Sequence, residues 1–309
     1  MRRGLAFNFA LCVFAFTVLN SCAHMAFRKT SAPASEQSVY AVDRMPASIE
    51  DSVRALDPQK KTVCTITINS ENEKVAFQNA LKPQGFNFIE LAPADNRNAD
   101  DWFLRACRSG VKCDIVVISG HFGGQFMGES GLHLGVEELE DNSCRTTCDG
   151  ILKAPKEVFL FGCNTLAGKQ RDSRTIDQYA TILTEHGIRR GEAEQIAAFR
   201  YSPIGSSNES RMRRAFKGAT KIYGFDSKAP LGREIDRSLN SYLKTVTDYK
   251  RHLDTLDAKK PNTALASNLK WTSVVESAGW GDVSLAPACY LNNDQNTTTD
   301  RLRWIRTAL

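Results

Sequence analysis

Apolar runs of strand length alternate with segments of helical spacing along most of the chain. The short apolar or β-branched runs predict five strands, at 63–69, 86–92, 113–120, 157–162 and 219–227. Between and after them, apolar residues at helical spacing predict helices at 73–82, 99–107, 175–187, 211–218 and 232–256. Strands that alternate with helices predict an α/β fold, with a mostly parallel sheet covered by helices on both faces.

Two of the predicted strands run directly into residues that can carry chemistry. The buried run EVFLFG (157–162) is followed by Cys163, and CDIVVISG (113–120) is followed by His121. The carboxyl ends of parallel strands meet at one edge of a sheet, so adjacent strands would bring this thiol and imidazole together. An imidazole beside a thiol favours the thiolate and can later protonate a leaving amine. The pattern therefore predicts a Cys163/His121 nucleophile–base pair.

Other interpretations of these residues stay open at this point. A cysteine after a strand also occurs as a core residue, and a histidine in a glycine-rich turn as a turn residue. His133, in the loop-rich insertion GLHLG, is a rival base. His186 and His252 lie within helical patterns and are predicted to be surface residues. Two chemistry-bearing residues at two strand ends within one α/β unit favour the functional pair.

The stretch VVISGHFGG, followed by EVFLFGCNTLAG, resembles the caspase-like fold of cysteine peptidases. That group includes caspases, metacaspases, gingipains, clostripain, separase and CHAT domains, and the likeness covers roughly residues 60 to 250. The resemblance implies that Cys163 is the nucleophile and His121 the general acid/base. It also implies an oxyanion hole made of the backbone N–H of Cys163 and of Phe122 or Gly123, beside the histidine. No cofactor and no metal are expected.

Several positions differ from the patterns of individual members. Phe161-Gly162 precedes the cysteine, where caspases have Gln-Ala and metacaspases have Asp-Ser, so cleavage after Asp is not expected. Cys163-Asn164-Thr165 is most similar to the Cys-Glu-Thr stretch common in CHAT domains. Phe122 follows the histidine directly, where the family usually has Gly.

The resemblance also points to a segment that helps to bind the substrate side chain. In relatives, residues just after the strand that follows the nucleophile help to line this pocket, and here they are Gly224 to Ser227. Asp226 could select Arg or Lys through a charge-assisted hydrogen bond. The alternative is that Asp226 caps the helix starting near Gly232 or lies in a solvated turn.

We therefore expect a monomeric cysteine endopeptidase that acts on a protein or peptide substrate. The alternative hypothesis is a catalytically inactive caspase-like module that binds a partner at the cell envelope. Phe122 favours this alternative, and the intact pair favours the enzyme. A third hypothesis is another thiol chemistry, such as acyl transfer, on the same two residues.

The amino-terminal residues are typical of an exported bacterial lipoprotein. Arg2 and Arg3 precede an apolar run from Leu5 to Leu19, and Leu19-Asn20-Ser21-Cys22 resembles a lipobox in which Cys22 is lipidated. We expect a signal peptide at 1–21, a polar tether at 22–56, the caspase-like domain at 57–256 and an extension at 257–309. The lipid on Cys22 would anchor the protein in the bacterial envelope, in the outer membrane facing the periplasm or the surface. Plain secretion and an uncleaved anchor are the alternatives.

Net charge and cysteine content bear on the binding partner, the disulfides and a possible metal site. A net charge of +5 on 309 residues does not single out nucleic acid as a partner. Nine cysteines leave seven after the signal and lipobox, and in an oxidising compartment this predicts three disulfides and one free thiol. Cys107–Cys113 and Cys144–Cys148 could each close a short loop, although spacing does not settle the pairing. A zinc site at Cys144 and Cys148 would need a second pair of ligands, which the sequence lacks.

Overall fold

The computed structural model describes residues 48–94, 101–168, 174–185, 187–201, 207–281, 289 and 293–308. The strands are β1 (Thr62–Thr67), β2 (Asn87–Glu90), β3 (Ile115–Ser119), β4 (His121–Phe122), β5 (Gln125–Met127), β6 (His133–Gly135), β7 (Glu157–Phe161), β8 (Lys221–Phe225) and β9 (Val274–Ser277). The α-helices are α1 (Ile49–Arg54), α2 (Asn72–Leu81), α3 (Trp102–Arg108), α4 (Val136–Asn142), α5 (Asp149–Leu152), α6 (Ile176–Glu185), α7 (Arg190–Tyr201), α8 (Asn208–Ala215), α9 (Arg233–Thr245), α10 (Tyr249–Asp254), α11 (Thr263–Asn268) and α12 (Thr298–Ala308).

The main sheet has six strands in the order β2-β1-β3-β7-β8-β9. The first five pair in parallel, and β9 adds to the edge antiparallel to β8. All five predicted strands are present, and they are the five parallel ones. The prediction of an α/β fold with a mostly parallel sheet and helices on both faces is therefore confirmed.

Strict alternation along the two central strands divides the core into two clusters. Ile115 and Val117 of β3 pack in one cluster, while Val116 and Ile118 pack in the other. The cluster containing Ile115 joins α2, α9, α10 and α11, and is called the α9 side below. The other cluster joins α3, α5 and α8, and is called the α3 side. Burial on both faces explains why these two strands are almost entirely apolar, with Ser119 and Glu157 as the exceptions.

Residues 121–135, part of the predicted insertion, form a small sheet of their own. Strands β4, β5 and β6 pair antiparallel in that order, and β4 follows β3 after Gly120 alone. Phe122 and Phe126 pair across β4 and β5, and both are buried in the α3-side core. The insertion therefore lies at the carboxyl edge of the main sheet, where β3 ends.

The prediction of one long helix at 232–256 is wrong, because the chain forms two helices there. Helix α9 ends at Thr245 and α10 begins at Tyr249. The Asp248 side chain accepts a hydrogen bond from the Arg251 amide at 3.0 Å, so a new helix starts at this residue. β-Branched Val246 and Thr247 precede this cap.

The compact domain extends beyond both predicted boundaries. In the segment predicted to be tether, Ile49 and Val53 of α1 pack against the α3-side core. In the segment predicted to be an extension, β9 completes the main sheet and Leu265 is buried in the α9-side core. The predicted signal peptide, Cys22 and His186 lie outside the described residues.

Three disulfides form, and Cys163 has a free thiol. The predicted count of three bridges is confirmed. Neither of the two short-loop pairings, Cys107–Cys113 and Cys144–Cys148, forms. The pairs are Cys64–Cys113, Cys107–Cys148 and Cys144–Cys289. Cys144 and Cys148 are thus both oxidised, which excludes the zinc interpretation. Among the described residues, no cluster of three or more metal-binding side chains is present.

At the amino end of the sheet, opposite to the predicted site, a buried carboxylate organises a polar network. Glu157 accepts hydrogen bonds from Tyr223 Oη at 2.9 Å and from Tyr249 Oη at 2.8 Å. Its Oε1 also lies 2.9 Å from His252 Nε2, so the prediction that His252 is a surface residue is wrong. Burial, with the Glu157 charge as second cause, raises the pKa of Tyr223, Tyr242 and Tyr249 well above the usual value for tyrosine.

Candidate functional site

The two central strands end side by side, just before His121 and Cys163. In the β3–β7 ladder Ser119 pairs with Phe161, and the Gly120 amide donates to the Phe161 carbonyl at 3.0 Å. His121 and Cys163 each follow two residues after this last pair. Both residues are half-buried and lie at the carboxyl edge of the sheet. The predicted adjacency of the two strands is therefore confirmed.

The alternation of side chains also puts both residues on the same side of the sheet. Cys163 packs against the α9-side core, as Phe161 does two residues earlier. Phe122 packs in the α3-side core, and its strand neighbour His121 therefore points to the other side. Both residues thus lie at the edge where β3 and β7 end, and side-chain alternation favours the same side of the sheet for both.

The chain turns sharply around Cys163, and the local residues fit that turn. A Cβ at Gly162 would lie 2.8 Å from Phe122 Cβ and 2.9 Å from the Gly120 carbonyl oxygen, so only glycine fits there. Asn164 has a φ of 60°, which asparagine tolerates better than most residues. These two residues hold the cysteine at the top of a tight bend.

Strand β8 anchors the segment that follows the cysteine. The buried Thr165 hydroxyl accepts the Phe225 amide at 3.1 Å, and the Leu166 amide donates to the Phe225 carbonyl at 3.0 Å. The Asn164 amide donates to the Ser227 carbonyl at 2.7 Å. The cysteine bend is thus fixed to both neighbours of β7 in the sheet.

A backbone N–H contacts the Cys163 sulfur directly. The Ala229 amide lies 3.4 Å from Cys163 Sγ, and it comes from the loop between β8 and α9, residues 226–232. We call this segment the β8–α9 loop. A donor aimed at the sulfur stabilises the thiolate relative to the neutral thiol. The sulfur therefore accepts a backbone hydrogen bond from this loop.

The three predicted oxyanion donors differ in their availability. The Cys163 amide has no acceptor among the residues described in the structure, and it lies at the bend itself. The Gly123 amide already donates to the Gln125 carbonyl at 3.2 Å, within the β4–β5 turn. The interpretation of Gly123 as an oxyanion donor is therefore corrected, because its hydrogen is engaged. Phe122, the other predicted donor, lies in β4.

Asp226 lies directly after β8, at the same edge as the cysteine. Its amide donates to the Ser273 carbonyl at 3.1 Å, and its neighbour Ser227 bonds to Asn164 beside the thiol. Asp226 is half-buried and does not lie in the helix that starts at Arg233. The structure thus places Asp226 at the carboxyl edge of the main sheet, directly after β8.

His133 is not placed as a rival base. It lies in β6, its side chain is exposed, and it pairs with Met127 of the small sheet. Strand β5 therefore separates it from β4, which carries His121. This position leaves His121 as the histidine next to Cys163 among the described residues.

Two residues of the site escaped the sequence interpretation. Ala229 contacts the sulfur, and Glu73 in the first turn of α2 accepts the Gly232 amide on Oε1 at 2.7 Å. Both contacts join segments far apart in sequence, so no local periodicity marks them. The signals present in the chain are Pro230 and Gly232, which flag a loop of defined shape between β8 and α9.

A cavity of about 800 Å³ opens at the carboxyl ends of β1 and β2. Its lining includes Thr67, Glu90 and Trp102, and Trp102 belongs to the α3-side core. Because Cys163 faces the α9 side, this cavity is not the space into which the thiol points. The candidate site is the open edge between β3, β7 and the β8–α9 loop.

Comparisons of the chain with protein-family models, curated proteins and solved structures gave no match. Among the helices that the structure describes, none is long and apolar enough to span a membrane. The interpretation of the site thus depends on the residues and geometry described above.

Proposed function

We propose that the protein is an exported caspase-like cysteine endopeptidase that uses Cys163 and His121. The observation that carries this proposal is the parallel pairing of β3 with β7, whose carboxyl ends are followed within two residues by a histidine and a free thiol. Such edges are where open α/β folds bind ligands. Cys163 is free although six other cysteines are paired, as expected for a reactive residue.

In the proposed reaction, His121 takes the thiol proton and the Cys163 sulfur attacks the carbonyl carbon of a peptide bond. The negative charge on the carbonyl oxygen is stabilised by the Cys163 amide. The C–N bond breaks, the amine leaves with the proton from His121, and a thioester remains on the sulfur. Water then adds to the thioester with His121 as base, which releases the acid and restores the thiol.

Asp226 is the proposed specificity residue of this reaction. It directly follows β8, at the edge of the sheet that carries Cys163, and a carboxylate there would favour a substrate with Arg or Lys before the cleaved bond through a charge-assisted hydrogen bond.

One observation favours the second candidate function, an inactive module that binds a partner at the envelope. The Gly123 amide is engaged within the turn that follows His121, which removes one of the expected oxyanion donors. In this hypothesis the open edge of the sheet would bind a peptide without cleaving it.

Export and lipid anchoring through Cys22 belong to the same proposal. Three disulfides in one compact domain are typical of proteins that fold in an oxidising compartment. The cysteine at the end of the lipobox-like stretch would tie the domain to the envelope. Radiolabelled palmitate incorporated by the wild type but not by Cys22→Ala would support the anchor, and equal labelling of both would contradict it.

Incubation with a peptide library, read by mass spectrometry, tests the peptidase. We expect cleavage after Arg or Lys by the wild type, none by Cys163→Ala, and a covalent thioester trapped at low pH on Cys163. Asp226→Asn should weaken the preference for basic residues without abolishing cleavage. Binding of peptides by Cys163→Ala and wild type alike, with no cleavage by either, would favour the inactive module.

A further inference from the structure

The β8–α9 loop brings a hydrogen-bond donor to the sulfur that the proposed reaction needs. We propose that the Ala229 amide stabilises the Cys163 thiolate and that Glu73 is the positioning residue that holds the loop in place. This inference rests on the proposed function, since it concerns the reactivity of the same thiol.

The loop is shaped so that the Ala229 amide has little freedom. Ala229 precedes Pro230, which restricts its backbone to extended conformations, and both residues are buried. On its amino-terminal side, the Ser227 carbonyl accepts the Asn164 amide and the Lys228 carbonyl accepts the Ser273 hydroxyl at 3.0 Å. The donor is therefore fixed relative to the cysteine bend.

Glu73 fixes the other end of the loop. The Gly232 amide donates to Glu73 Oε1 at 2.7 Å, and Gly232 has φ 59° and ψ −126°, a conformation open to glycine alone. A side chain at residue 232 would also approach Ser70 Oγ to 3.3 Å. The loop end therefore has one conformation, and Glu73 is the acceptor that selects it.

The environment of Glu73 indicates that the main role of this carboxylate is its contact with the loop. The residue is completely buried, and its Oε2 has no hydrogen-bond partner among the described residues. A buried carboxylate with an unsatisfied oxygen is costly, and its place in the first turn of α2 and the hydrogen bond from Gly232 offset part of the cost. A nonpolar residue would avoid this cost but would leave the Gly232 amide without its acceptor.

The consequence for the thiol is an increase in reactivity. Deprotonation of Cys163 puts a full negative charge on an atom that already accepts an N–H, and hydrogen bonds to charged groups are the stronger ones. Loss of the donor would lower the fraction of thiolate at neutral pH. Attack on iodoacetamide then slows, since the thiolate forms the S–C bond while iodide leaves and the proton goes to solvent.

The test compares iodoacetamide alkylation of Cys163 in folded Ala229→Pro and Ala229→Gly. Proline removes the N–H, whereas glycine keeps it at the same buried position. We expect Ala229→Pro to react about tenfold more slowly at pH 7 and Ala229→Gly to react like the wild type. Glu73→Ala should slow the reaction in the same direction, and Glu73→Gln, which retains an acceptor for Gly232, should restore it. Equal rates for the proline and glycine variants would overturn the inference.

A measurement on the wild type covers the case in which a variant does not fold. The Ala229 amide resonance in an NMR pH titration should move as Cys163 ionises, and this movement should be absent in Cys163→Ala. An Ala229 resonance that titrates identically in both proteins would overturn the inference. Slow alkylation in His121→Ala together with unchanged alkylation in Ala229→Pro would refute the role of the loop and leave the proposed pair intact.

Discussion

Gly162 shows how a single position controls the geometry of the candidate site. It lies between the last residue of β7 and Cys163, packed against the Gly120 carbonyl and Phe122. The absent side chain lets the residues that follow β3 and β7 approach each other closely.

Gly162→Ala should therefore destabilise the protein. The added methyl group would lie 2.8 Å from Phe122 Cβ, and relief of such overpacking typically costs about 1–3 kcal/mol. Gly168→Ala is the matched control, since a Cβ there has nothing within 4 Å. Urea denaturation should show a loss of unfolding free energy for the first variant alone. Equal stability of both variants would contradict the described contact.

Tyr249→Phe tests the polar network around Glu157. The variant leaves Glu157 Oε2 without its 2.8 Å hydrogen bond in a buried environment, so we expect a loss of about 1.5–3 kcal/mol in unfolding free energy. Combining it with Glu157→Gln should cost less than the sum of the single changes, because the two residues interact. Strict additivity in thermal or urea unfolding would show that the two side chains do not interact.

At this scale, the residues that follow buried strands could be predicted and the residues that reach them through space could not. His121 and Cys163 each end an apolar run, and the edge of a parallel sheet is a known place for chemistry. Ala229 and Glu73 lie in segments with no such signal, and their contacts arise only once β8 and α2 are docked on the same sheet.

Among the elements, the central strands were predictable because a strand that is buried on both faces consists mostly of apolar residues. Strand β9 was missed, since Val274–Ser277 is a short, half-exposed edge strand whose pattern is weak. The break between α9 and α10 was missed for a different reason. The amphipathic spacing continues across it, and the Asp248 cap decides where the second helix starts.

The disulfides connect elements that lie far apart in sequence, which is why spacing alone did not predict them. Cys64 of β1 and Cys113, just before β3, are 49 residues apart, and both are buried. Cys107 of α3 is linked to Cys148 beside α5 on the α3 side. These bridges join neighbours in the folded domain instead of closing the short loops.

Removal of the first bridge gives a direct test of this connectivity. Cys64→Ala/Cys113→Ala should lower the unfolding free energy by up to about 4 kcal/mol, from the 49-residue separation. Cys163→Ala is the control, since it breaks no bridge. Non-reducing peptide mapping should recover Cys64–Cys113 and Cys107–Cys148 peptides. A Cys107–Cys113 peptide would contradict the structure.

For the whole molecule, the tail is held to the domain by one carboxylate as well as by the Cys144–Cys289 bridge. Asp294 accepts the amides and hydroxyls of Thr146 and Thr147, at distances from 2.6 to 3.2 Å. Burial raises the pKa of Asp294, but the hydrogen bonds from both threonines outweigh it and lower the pKa to about 2, from 3.8.

This shift predicts a pH dependence of the tail contact. A carboxylate whose pKa is lowered by folding stabilises the folded state above its unfolded pKa of 3.8, and the contribution disappears as the pH falls through about 2. Because Asp294 is only partly buried, solvent screening should keep the effect below about 1 kcal/mol. Urea unfolding of Asp294→Asn and wild type should differ at pH 5 and converge near pH 2. A difference that grows toward low pH would contradict the contact.

The reactivity of the Cys163 thiol is the property on which the proposed function depends most. The direct test is alkylation of the folded protein by iodoacetamide between about pH 5 and pH 9, with each cysteine resolved by mass spectrometry, in the wild type and in His121→Ala. We predict fast, selective labelling of Cys163 in the wild type, while the six bridged cysteines stay unlabelled. The His121→Ala variant, with its three disulfides intact, should label slowly and approach the free-thiol profile. Slow labelling of the wild type, or identical profiles for the two proteins, would contradict the proposed Cys163/His121 pair.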